Sequence, residues 1–243
     1  MMQNRASPFS LCHDWSVKWT NIQPIKQQNG ILWSSQYDEK VLKALAYIGV
    51  IGGVQITRLF LNSDKKRLGK MVDTGKLVRH VIKRGNMEIP IYTPGINGAR
   101  ILKQMGIKYR VNSWLTYDVN SILKKLLFFQ LYGKFSEQGE VSVLPAPAPY
   151  TGIIERNGSQ YYIGIIRGNT QEFEQYFKWE KLTERIILVT ESLRQLAPLN
   201  EYLKELKIRV TTDEDLKFDF EHLFYKWDGE WVKERKAEEL LRV

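Results

Sequence analysis

The chain has 243 residues, with 36 lysines and arginines against 27 aspartates and glutamates, a formal net charge of +9. At 43% hydrophobic and 12% aromatic it can bury real cores. That excludes a disordered basic tail and leaves one large domain or two small ones. No apolar run approaches the roughly 18 residues that span a membrane, no signal-peptide apolar region opens the chain, and the lone Cys12 cannot form an internal disulfide. The expectation is a cytoplasmic protein with no membrane partner.

Charge divides the chain. Residues 1–170 carry 23 basic and 10 acidic side chains, whereas residues 171–243 carry 13 and 17. Such asymmetry predicts two halves with different jobs. Residues 1–35 are weakly patterned, yet Trp15, Trp19 and Trp33 are too many aromatics for a pure tail. They predict an arm that packs on a body or a partner.

From Tyr37, helical spacing of Val41, Leu42, Leu45 and Ile48 predicts a first helix, with Asp38 and Glu39 in its first turn. Gly49 and Gly52-Gly53 break it. A short helix, Gln55 to Leu61, follows. Ser63 or Asp64 caps a third, Lys65 to Asp73, stopped by Gly75. Leu77 to Ile82 reads as a strand, Arg84-Gly85-Asn86 as a turn, Ile89 to Thr93 as the return strand, and Asn97 to Gln104 as helix. Three helices, a hairpin and a helix is the winged helix-turn-helix order, expected over residues 36–112.

Between Arg58 and Arg84 stand nine basic residues, Arg58, Lys65, Lys66, Arg67, Lys70, Lys76, Arg79, Lys83 and Arg84, against Asp64 and Asp73, a local net of +7. These nine are the expected DNA-binding residues, because each phosphate contact releases condensed counterions. Lys65, Lys66, Arg67 and Lys70 lie near the start of the third helix, where a recognition helix meets the groove. Lys83 and Arg84 flank the wing tip.

Asp118 to Phe135 is heavily apolar and helical. Core packing, a linker between domains over residues 113–138, and a dimer seam all fit it. After Gly139 the rhythm changes. Val141 to Leu144, Gly152 to Glu155 and Tyr161 to Arg167 read as strands, the last two around Asn157-Gly158. A helix from Gln171 to Leu182, a strand from Ile186 to Thr190, a helix from Glu191 to Leu206 broken at Pro198, and a strand from Ile208 to Thr211 follow. Leu223 to Trp227 and Trp231 to Lys233 flank Asp228-Gly229 as a last hairpin. Strands alternating with helices predict an α/β domain with a mixed sheet over residues 139–243.

That layout matches restriction-endonuclease-like nucleases, which hold Mg²⁺ with an acid on one strand and an acid-x-lysine triplet on the next. Here those positions read Tyr150-Thr151 and Ile165-Ile166-Arg167, without carboxylates. The expectation is a non-catalytic domain with no metal and no cofactor. A nuclease with acids relocated to Glu155 and Glu172 beside Arg167 is the alternative. His13, His80 and His222 are scattered, and no nucleophile triad or phosphate loop stands out.

The chain resembles the replication-relaxation family of plasmid and mobile-element proteins. The resemblance runs from about Tyr37 to Leu216 and rests on Asp38-Glu39-Lys40-Val41-Leu42, on Ile91-Tyr92-Thr93-Pro94-Gly95-Ile96-Asn97-Gly98, and on Pro149-Tyr150-Thr151-Gly152-Ile153-Ile154. Where that family often has Pro-Asp-Gly, and later an acid before Arg-Gly-Thr, this chain has Pro149-Tyr150-Thr151-Gly152 and Ile166-Arg167-Gly168-Asn169-Thr170. The resemblance implies an α+β protein, a winged helix joined to an endonuclease-like domain. It implies an accessory role in plasmid replication, maintenance or conjugative transfer. Double-stranded DNA, a replication or relaxosome protein and a second copy in a homodimer are the expected partners. A transcriptional regulator with a C-terminal sensing domain, and an adaptor using its winged helix on proteins, are the rival readings.

Overall fold

A computed structural model of the chain describes residues 7–21, 32–180, 184–203, 206 and 208–234. It is α+β, with two sheets, and divides into two compact units, His13–Phe129 and Met1–Cys12 with Gln130–Val243. Among the described residues no helix is long and apolar enough to cross a membrane.

The first unit runs β1 (Trp15–Lys18), α1 (Gln36–Ile48), β2 (Ile51–Gly52), α2 (Gly53–Phe60), α3 (Lys65–Asp73), β3 (Leu77–Arg84), β4 (Met87–Pro94) and α4 (Ile96–Gln104). A 3-10 turn, Ser113–Thr116, leads to α5 (Val119–Ser136). Ser35 caps α1 by accepting from the Asp38 amide, and Asp64 caps α3 by accepting from the Arg67 amide. Between α2 and α3, Asn62 and Ser63 sit at φ 49° and 64°, the left-handed region, so four residues reverse the chain. The sheet order is β1-β3-β4-β2, all antiparallel. Val41, Leu42, Leu45, Ile56, Met71, Leu77 and Ile82 fill the core beneath it.

Segment Pro94–Gly98 docks α4 on the loop after α3. The Gly95 amide donates to Lys76 O, and Asn97 reaches the carbonyls of Thr74 and Gly75. A Cβ on Gly98 would lie 2.1 Å from the Lys76 carbonyl oxygen, so only glycine permits this approach.

Part of the expected arm is structural. Residues Trp15–Lys18 form an edge strand on β3, pairing Trp15 with Arg84 and Lys18 with Val81. Just beyond, the Thr20 amide donates to His80 Nδ1, and Trp19 and Trp114 pack edge-on and tilted against the His80 ring. His80 is fully buried, and burial pushes its pKa down to about 4. Period-two alternation over four residues was too short to reveal β1 without its partner strand.

Helix α5 runs from the first unit into the second. Its residues up to Phe129 belong to the first unit, where the Gln55 amide reaches Leu126 O and Phe60 meets Phe129. From Gln130 it belongs to the second unit, where Phe135 packs on Tyr161, Phe220 and Phe224. Its apolar residues, Leu123, Leu127, Phe128 and Leu131 among them, are buried, and Gln130 is exposed.

The second unit continues with β5 (Ser142–Leu144), β6 (Gly152–Arg156), β7 (Ser159–Ile165), α6 (Gln171–Trp179), β8 (Arg185–Thr190), α7 (Asn200–Leu203), β9 (Ile208–Thr212), β10 (Tyr225–Trp227) and β11 (Trp231–Lys233). Its sheet order is β11-β10-β9-β8-β7-β6-β5, with β7, β8 and β9 parallel and the rest antiparallel. Phe173, Phe177, Leu196, Leu199 and Leu203 cover one face over Ile186, Leu188, Ile208 and Val210. Residues 193–199 form a 3-10 helix holding Pro198, and α7 adds a single turn, so the helix expected from Glu191 is replaced by a tighter path. The end of the expected helix Gln171 to Leu182 lies partly outside the described residues.

Candidate nucleic-acid interface

Helix α3 buries Leu68 and Met71 and leaves Lys65, Lys66 and Lys70 exposed. Among the described residues none of these three lysines has an ion-pair partner. Gly69 lies exposed on the same helix, with open space where its Cβ would be. A glycine in a helix interior costs up to about 1 kcal/mol relative to alanine. No packing within the fold requires it here, and a bare backbone suits close approach by a partner.

Two of the nine predicted cations turn inward instead. Arg67 Nε lies 2.9 Å and Lys76 Nζ 2.6 Å from the carboxylate of Asp38 on α1. Arg67 also donates to Ser35 Oγ and stacks 5.0 Å from the Tyr37 ring centre. Burial by itself would raise the Asp38 carboxyl, but the hydrogen bonds from Lys76 and Arg67 outweigh it and hold the group below its usual range. These two side chains fasten α1 to α3 and to the loop before β3. Counting charges along the sequence could not separate them from the free lysines, because Asp38 lies 29 and 38 residues away.

At the hairpin, Lys83 pairs with Glu88 at 2.7 Å across β3 and β4 and holds its carboxyl below the usual range. Arg84 lies 6.0 Å over the Trp15 ring beside the tip residues Gly85 and Asn86. Arg79 stands opposite Tyr92, whose hydroxyl burial pushes up against the pull of Arg79. Arg58 is exposed on α2. A cation absent from the sequence-based set, Lys18 on β1, joins Lys83 and Arg79 in the field at Glu88. Its signal was the short alternation Trp15-Ser16-Val17-Lys18.

A second charged cluster sits in the other unit, at the carboxyl ends of the parallel strands. Arg167 follows β7, Glu191 follows β8 and Asp213 follows β9. The Arg167 side chain is fully buried, bonded to Asp213 and to its neighbour's carbonyl, with Glu191 at 3.8 Å. From the N-terminal segment, Ser7 donates to Asp213 and Ser10 to Glu191. Burial pushes the Asp213 carboxyl up, with Arg167 and Ser7 pulling the other way. The proposed trio of Glu155, Glu172 and Arg167 is not what Arg167 joins. Glu155 accepts from Ser142 on the β5–β6 pair, and Glu172 lines a groove with Tyr176 and Trp179.

Compared with known proteins, the chain matches no family model, no curated protein and no solved structure.

Proposed function

We propose that this chain binds double-stranded DNA through the outward face of α3, with the β3–β4 hairpin as a flanking contact. The observation that carries this reading is the set Lys65, Lys66 and Lys70, exposed on one short helix and without ion-pair partners among the described residues. Three helices, a hairpin and a short strand pairing the return strand agree with a winged helix, in which the third helix enters the major groove. Lysines there position the protein on phosphates rather than read bases. Lys18, Lys83 and Arg84 would extend the same electrostatic footprint to the hairpin.

The second unit is read as a non-catalytic, endonuclease-like domain. Supporting this, the acids nearest the parallel strand ends, Glu191 and Asp213, are already engaged by a buried arginine and two serines. Its role would be assembly, with a second copy or with a replication or relaxosome protein. The plasmid or mobile-element context rests on the sequence resemblance.

The test is duplex binding as a function of salt. Lys66→Ala with Lys70→Ala should weaken binding and reduce the slope of log K against log salt by roughly 0.9 for each lost phosphate contact. An unchanged slope would sink the reading.

A further inference from the structure

Beside α3 lies a groove of about 610 Å³, within the range of about 300–1,000 Å³ that small-ligand sites occupy. Trp33, Tyr37, Lys66, Lys70, Met71 and Lys76 are among its lining residues. Trp33 is 82% exposed and Tyr37 43%. An exposed indole beside cations presents a flat, electron-rich face on which another flat ring can stack.

Four cations, Lys66, Arg67, Lys70 and Lys76, line the groove against two carboxylates, Asp38 and Asp64. Asp38 is paired with Arg67 and Lys76, and Asp64 caps α3 by accepting from the Arg67 amide. Lys66 and Lys70 remain without ion-pair partners among the described residues. Arg67 already stacks on Tyr37, so the aromatic wall is itself backed by a guanidinium. A planar, anionic ligand satisfies all of these groups together. Stacking would cover Trp33, and a phosphate would meet Lys66 or Lys70. Both lysines also belong to the face proposed to meet the duplex.

We propose that the Trp33–Tyr37 groove takes an unpaired nucleotide of the bound DNA, so that the protein favours a junction between duplex and single strand over a blunt duplex. The inference rests on the duplex-binding reading of α3. Base–aromatic stacking is sequence-tolerant, so the groove recognises an exposed base rather than a particular one.

The experiment compares binding of the full chain to three DNAs at fixed salt: a blunt duplex, the same duplex with a short oligothymidine tail, and one whose tail lacks bases. The tailed duplex should bind at least about fivefold tighter than the blunt one. The base-free tail should give no such gain. Trp33→Ala should remove the gain while leaving the melting transition and blunt-duplex affinity unchanged, and Trp33→Phe should keep part of it. A tail preference that survives Trp33→Ala, or that persists without bases, overturns the proposal. If the blunt duplex shows no salt-sensitive binding, the duplex reading has failed by itself. Oligothymidine alone then decides the groove: binding that depends on Trp33 supports it, and binding that does not, or none, overturns it.

Discussion

Helix α3 and the strand ends of the second unit use similar side chains in opposite ways. On α3, Lys65, Lys66 and Lys70 stand in water with no carboxylate attached among the described residues. At the ends of β7, β8 and β9, Arg167 is fully buried between Asp213 and Glu191. An exposed cation keeps its hydration and remains free to exchange counterions for a polyanion. A buried cation has lost its water and must hold its acids to offset that loss. Charge density along a sequence therefore says little until burial is known. Arg67 and Lys76, half-buried and paired with Asp38 in the midst of the basic segment, make the same point within the first unit.

The strongest way to break this contrast is at Arg167. Arg167→Ala should destabilise the chain by about 3–5 kcal/mol, since it strands buried acids. Urea unfolding would measure it, and a loss under about 1 kcal/mol would mean the cluster is not structural. Replacing both members of the closest pair, Arg167→Met with Asp213→Leu, should recover part of the loss, because only Glu191, which keeps some exposure, is then left without the arginine.

A second test uses a buried titratable group in the first unit. The folded pKa of His80 is about 4, below its ordinary 6.5. Between those values the unfolded chain binds a proton that the folded one refuses. Stability is therefore complete above about pH 6.5 and falls as pH drops towards 4, by up to about 3 kcal/mol. His80→Gln should flatten that part of the stability–pH curve even if it lowers stability at neutral pH. A curve of the same slope in the variant would assign the acid sensitivity to other groups.

The smallest effect is expected at the hairpin tip. Lys83→Glu and Arg84→Glu should each change stability by about 0.5 kcal/mol or less, since the Lys83–Glu88 pair is exposed. Duplex affinity should fall in the same variants. A large drop in melting temperature would place these residues with Arg67 rather than with the free lysines.

What the sequence determined by itself is local. Ser63 or Asp64 before an amphipathic run marked the start of α3, with Asp64 the residue that caps it, Asn157-Gly158 marked the β6–β7 turn, and the apolar runs at Ile186 and Ile208 marked two buried strands. Each depends on side chains a few residues apart acting through backbone geometry. The tertiary structure alone decided that Trp15–Lys18 joins the sheet, that α5 is buried in both units, and that Arg67 serves Asp38. It also decided that Arg167 meets Asp213, 46 residues away, and that Trp33 and Tyr37 flank the lysines of α3. These outcomes rest on contacts between distant segments. A hydrogen bond or ion pair of that kind leaves no spacing in the sequence, because it forms only where folding removes water from both partners at once.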